Sequence, residues 1–141
     1  NNPRAAGSVS GTHYIYNQET GNDDDGSPMT NVFIESGDFD IGEGEDFQFI
    51  RRMIPDVKFT GGGDNQQINT VLKTRNYPGD SLTTQSTSAF TASTSKIDLR
   101  ARARQAVLRF ESDDDAATAT QLGVGFRIGG TRLDIRPNGR R

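Results

Sequence analysis

Residues 96–112 read KIDLRARARQAVLRFES, and the fold class turns on how this stretch is built. Ile97, Leu99, Ala101 and Ala103 alternate with Asp98, Arg100, Arg102 and Arg104. A β-strand sends successive side chains to opposite faces, so this period of two marks a half-buried strand carrying a comb of three arginines. The rival reading is an arginine-rich helix, because Ala, Arg, Gln and Leu all favour helices. The faultless alternation and the Val107, Leu108, Phe110 run that follows decide for strand. Alternation changes phase near Gln105 and Ala106, which predicts a bulge or a bend into a second strand. Two alanines on the inward side predict close approach by a bulky partner, with Phe47, Phe49 and Phe126 as candidates.

Around this stretch lies a chain of single-domain size, long enough for a core at 141 residues. Only 31% of its residues are hydrophobic and 16 are glycine, which points to a thin sandwich with long polar loops instead of a thick α/β enzyme. Cysteine is absent, so disulfide frameworks and thiolate metal sites are excluded. No apolar run reaches the length of a membrane helix, and the first eleven residues lack the apolar core of a signal peptide. Without an initiator Met, the chain reads as a fragment or a processed product. Charge is unevenly spread: residues 1–95 hold 13 acidic and 6 basic groups, a balance of −7, and residues 96–141 hold 6 acidic and 10 basic, a balance of +4. That asymmetry implies electrostatic complementarity between the halves or between neighbouring copies.

Taken in order, residues 1–30 read as a polar arm or linker with one short strand at residues 13–16. Asp23, Asp24, Asp25 and Gly26 invite a calcium reading, but an EF-hand loop counted from Asp23 puts Ile34 where the bidentate Glu belongs and no Gly at its sixth position. A solvated loop is the better reading. Strands are expected at residues 31–36, around Phe39 and Ile41, through Phe47, Phe49 and Met53, at Val57 and Phe59, and at residues 68–73. Pro55 ends or kinks the third of these, or sits at an edge. Gly61, Gly62 and Gly63 mark a loop tip, residues 76–80 a turn, and residues 81–95 an exposed loop or edge strand. The acidic residues 113–115 sit in a connection. Gly129 and Gly130, between residues 124–128 and 131–136, signal a hairpin. No element keeps a helical period. The fold class is therefore all-β, an antiparallel two-sheet β-sandwich of jelly-roll type with about seven to nine strands over residues 31–141.

Catalytic chemistry starts poorly. His13 is the sole imidazole, which nearly excludes Ser-His-Asp and multi-histidine metal sites. Carboxylate pairs occur at Asp38/Asp40, Glu43/Glu45 and Asp98/Asp134, but no Trp is present to stack a sugar. Neither a P-loop nor a dinucleotide fingerprint is found. The comb places guanidinium groups about 7 Å apart; such like charges need carboxylates, phosphates or carbonyls between them. Pairing with acids of an adjacent strand or subunit is the leading reading, and contact with nucleic acid the second.

LKTRNYPG at residues 72–79, LRARARQAVLRFES at 99–112 and FRIGGTRLDIRPNGRR at 126–141 together resemble the C-terminal region of virion structural proteins of tailed bacteriophages, of the tail-nozzle or packaged-DNA stabilisation type. GDFDIGEGEDFQFIRRMIPD at residues 37–56 fits the same pattern. The resemblance covers roughly residues 32–141. It departs at Phe126, where the pattern leads one to expect Trp, and at Ala103, where it leads one to expect Gly. It implies a non-enzymatic module of a tail or portal-proximal assembly, made in the bacterial host cytoplasm and carried in the virion. Such proteins form rings, often of six copies. The implied partners are other copies of the chain and other virion proteins, near packaged DNA, with no membrane, cofactor, metal or small-molecule substrate. Arg100, Arg102, Arg104, Arg109, Arg127, Arg132 and Arg136 are then interface residues. The alternative is a binding module for host-surface carbohydrate or another virion protein.

Overall fold

The computed structural model describes residues 2–23, 31–40, 45–61, 66–112 and 123–139. Among these the chain forms strands and no helix. Ile41, the Glu43 carboxylate, the rest of the glycine tip after Gly61, the acidic run at 113–115 and most of the 23–26 cluster lie outside the described residues.

The organising stretch is extended throughout. Ile97–Ala103 forms β9 and Gln105–Ser112 forms β10, numbered in chain order, with Arg104 alone between them. β9 keeps Ile97, Leu99, Ala101 and Ala103 buried and Asp98, Arg100 and Arg102 exposed. The expected bend falls at Arg104. Before it, β9 pairs with Gln48–Ile54 (β5); after it, β10 pairs with Gln67–Arg75 (β7) in a different sheet. A strand that changes sheets makes a corner of a sandwich.

The larger sheet runs from the edge strand Phe33–Glu35 (β3) through β10 and β7 to Thr83–Thr91 (β8), and Phe39–Asp40 (β4) also pairs with β10. The smaller sheet places β5 between Arg132–Pro137 (β12) and β9. Val57–Thr60 (β6) and Gly125–Ile128 (β11) form a ribbon, and Arg4–Val9 (β1) and Thr12–Asn17 (β2) a hairpin. Every pairing is antiparallel. One core joins the two sheets: Ile50 and Met53 of β5 with Ile97, Leu99 and Ala101 of β9 meet Ile68 and Leu72 of β7, Phe90 of β8, and Ala106, Leu108 and Phe110 of β10. Each large side chain so buried contributes roughly 1.5–3 kcal/mol.

Several expectations are corrected. Residues 31–139 hold ten described strands instead of seven to nine, because β3 and β4 are separate short segments on one side of β10. The described residues of the N-terminal arm hold two strands, not one. β1 is poor in β-formers, and pairing comes from the turn at Ser10 and Gly11, whose φ values of 50° and 81° suit a type I′ hairpin. Phe47 and Phe49 do not meet the alanines. Register sets Ala101 beside Ile50 and Ala103 beside Gln48, so the inward residues of β5 are Gln48, Ile50 and Met53. The three-residue step from Ile50 to Met53 comes from register shifts at Arg51. Phe126, the third candidate, does pack against the core.

Gly129 and Gly130 do not close a hairpin. β11 pairs with β6 and β12 pairs with β5, so two antiparallel strands pass from sheet to ribbon together. Pro55 and Asp56 turn one strand and the glycine pair turns the other. The Gly129 N–H donates to the Asp56 carbonyl at 2.6 Å, and a Cβ at Gly129 would collide with the Asp56 carboxylate. Glycine is needed there for close approach, not for a tight turn. Besides the bend at Arg104, β9 carries a bulge of its own that its alternation did not announce: the extra residue lies at Leu99/Arg100, with Arg100 at φ 51°. Ala103 is plain extended strand and has no need of glycine's freedom.

Ala101 is 2% exposed beside Ile50. Ala101→Leu is expected to cost about 1–3 kcal/mol by overpacking, read as a lower midpoint in urea denaturation with the slope unchanged.

Candidate functional site

The outward faces of the two sheets carry very different charge. On the larger sheet, cations and anions are matched. Lys73 donates to Glu35 at 2.6 Å, Arg109 bridges Glu35 at 3.6 Å and Glu111 at 2.5 Å, and Arg75 pairs with Asp38 while donating to Gln105 at 2.8 Å. Arg109 also lies over the Phe33 ring at 3.7 Å. Val71 and Val107 belong by register to this outward side and are nevertheless buried, as expected where long charged side chains lay their stems across apolar surface.

The smaller sheet carries excess arginine. Its registers place Arg136, Phe49 and Arg102 in one row across β12, β5 and β9, and Asp134, Arg52 and Asp98 in another. Arg52 donates to Asp98 at 3.2 Å, and Asp134 receives Arg51 at 3.6 Å and Arg136 at 3.8 Å. Arg100 lies outward between these rows, and Arg132 stands opposite the exposed Ile54. Among the described residues of these three strands, six arginines against two aspartates give about +4. Since the whole chain carries −3, the remainder is near −7.

Aromatic rings organise the arginine end of the face. The Arg102 guanidinium sits 3.9 Å from the centre of the Phe47 ring, and Arg104 lies 4.8 Å from the same ring and 5.1 Å from Tyr77. Arg102 also donates to the Asn138 carbonyl at 3.4 Å. Cation–π contacts of this kind contribute about 0.5–1 kcal/mol each where exposed, and they hold the planar groups in place. Phe47 itself is pinned by backbone bonds to Gly139 and Asn138.

Of the seven arginines singled out from the sequence, Arg100, Arg102, Arg132 and Arg136 share this face. Arg104 lies at the corner. Arg109 belongs to the matched network on the opposite sheet, and Arg127 to the ribbon, where register sets it beside Lys58. Arg100, Arg127 and Arg132 form no ion pair among the described residues. Sequence reading missed Arg51 and Arg52. They were legible only as an arginine pair in a strand, and the bulge that turns both toward the acids is a tertiary feature. Asp98 and Asp134 are not neighbours, because Arg52 stands between them in register. His13 stands exposed on the N-terminal hairpin opposite Ser8. Among the described residues, no three His, Cys, Asp or Glu side chains group as a metal site would require, and no helix is long and apolar enough to cross a membrane.

The sequence matches no family model and no curated protein.

The Lys73 hydrogen bond, aided by Arg109, holds the Glu35 carboxyl below the usual carboxylate range, against a smaller opposing effect of burial. The Arg52 hydrogen bond does the same for Asp98. Depressed carboxylates stabilise the fold above their free-chain value of about 4, and that contribution is lost as pH falls through the lower folded value. Melting temperature is therefore expected to be flat from neutral pH to about 5 and to drop below about 4. Glu35→Gln should start lower at neutral pH and fall less steeply; an identical pH profile for variant and parent would exclude the pair's contribution.

Proposed function

We propose that this chain is a non-enzymatic structural module of a bacteriophage virion, part of a tail or portal-proximal assembly, working through contacts between copies and with neighbouring virion proteins. One observation carries the reading: a sheet face of excess arginine on a chain whose other residues together sum to about −7. Opposite charges on separate surfaces of one molecule attract between copies and set their register, while like faces repel. The ordered resemblance of residues 72–79, 99–112 and 126–141 to phage tail proteins supports the same class. A ring follows if the basic face of one copy meets an acidic surface of the next by a rotation that closes.

Replacing Arg102 and Arg136 by Glu brings the face to about neutral without touching a core residue. Self-association, followed by sedimentation at low salt, is expected to fall by at least about tenfold, with the melting temperature within a few degrees of the parent. Association of the parent should itself weaken as salt rises. A parent chain that stays monomeric at low salt, or a double variant that assembles as well as the parent, would overturn the reading.

A further inference from the structure

The N-terminal hairpin is built like a strand pair that has lost its cover. Directly opposed residues share a face, so Ala5, Gly7, Val9, Thr12, Tyr14 and Tyr16 lie on one side. Tyr16 lies across Gly7, where an added Cβ would sit 3.2 Å from its ring, and the two tyrosine rings are 5.9 Å apart. This side is apolar and aromatic, yet every residue of β1 and β2 except the half-buried Tyr16 is exposed, Val9 at 57%. An isolated two-stranded hairpin is only marginally stable in water.

The same chain has an apolar groove of about 440 Å³ at the open edge of the sandwich. Ile34 of β3 forms one wall, Phe126 and Ile128 of β11 the other, and Ile68 the floor, with Asn22 and Gln67 at the rim. Ile34 is inward by register, opposite buried Phe110, but is 58% exposed because β3 is the sheet's edge. No hairpin residue lines this groove in its own chain. Asn22, five residues after β2, is fastened to the groove rim through the Gly123 carbonyl at 3.4 Å. The hairpin's base is thus tethered beside the groove, and its tip lies about a strand length, roughly 20 Å, from that base.

The geometry points to the hairpin being an arm that seats its tyrosine face in the groove of a second copy of this chain. An arm and a groove on each molecule can be satisfied reciprocally in a pair or successively in a ring. The occupant matches the site chemically: Val9 supplies apolar area to Ile34, Phe126 and Ile128, and each tyrosine buries its ring while its hydroxyl meets a polar rim. Among the described residues β3 pairs only with β10, which leaves its other edge for the arm to extend. This inference rests on the assembly reading above and names a contact separate from the arginine face.

The chain has no cysteine, which makes the test clean. Two full-length variants are prepared, Val9→Cys on one and Ile34→Cys on the other, distinguished by a tag, then mixed and treated with a short bis-maleimide. A mixed cross-linked dimer is expected, in clear excess over a control pairing of Val9→Cys with Thr87→Cys on β8. Adding Tyr14→Ser and Tyr16→Ser to the arm should lower the mixed yield about tenfold while leaving the sandwich's melting temperature unchanged. The cross-link should survive Arg102→Glu with Arg136→Glu, so failure of the arginine contact and failure of the arm contact are told apart. A mixed yield no higher than the control, or a Val9→Cys, Ile34→Cys chain that cross-links only within itself, would overturn the proposal.

Discussion

The structure depends on one continuous run of chain belonging to two sheets. Residues on either side of Arg104 are committed to different partners, β5 before it and β7 after it. Neither sheet can form its ladder with this run without fixing where the other begins. The core residues of β9 and β10 are thereby brought face to face by covalent connection, and their packing does not have to find its own alignment. The paired strands β5 and β12 make a second such passage into β6 and β11, with Gly129 admitting Asp56 at the corner. Two corners joined through one core give a thin sandwich its definition despite a low apolar content.

The division of charge follows from this arrangement. β10 and its neighbours bring three cations and three anions close enough to satisfy one another, so that outer surface is internally settled. Among the described residues, β9, β5 and β12 bring six guanidinium groups and two carboxylates, Asp98 and Asp134, to the other surface. Rings at Phe47 and Tyr77 and a backbone carbonyl at Asn138 hold the arginines nearest the corner. These partners orient a guanidinium, and the three strands still count six cations to two anions among the described residues. A surface of that kind steers and aligns an acidic partner more than it stabilises its own sheet.

How far this was legible varied with the reach of the determining interactions. The β9 alternation, the bend after it, the edge position of β8 and the break at Pro55 all arise from neighbours in the chain, and each could be read from spacing. The outward turn of Phe47 and Phe49 could not, because it depends on an extra residue at Arg51 that only the pairing with two flanking strands defines. The glycine pair was read as a hairpin since its local chemistry suits one; what it serves is an approach by Asp56, more than seventy positions away. For the arginine face, the sequence showed the comb on β9 but not its companions on β5, nor that Arg109 would be neutralised elsewhere.

The two register shifts in the smaller sheet have a consequence for its shape. β5 carries one more residue than β12 across the shared row, and β9 one more than β5. Strand length therefore grows stepwise across the sheet, as tread length does across a winding stair, and the sheet must fan and coil toward β9. Curvature is here written as a residue count. Losing Arg51 would only return β5 to plain alternation and narrow the fan, whereas losing Arg100 would set Leu99 beside Ala101 in sequence, flip the pleat on one side of the gap and send inward residues of β9 outward. At Arg100, then, β9 can exchange a letter of its sequence far more cheaply than it can drop one.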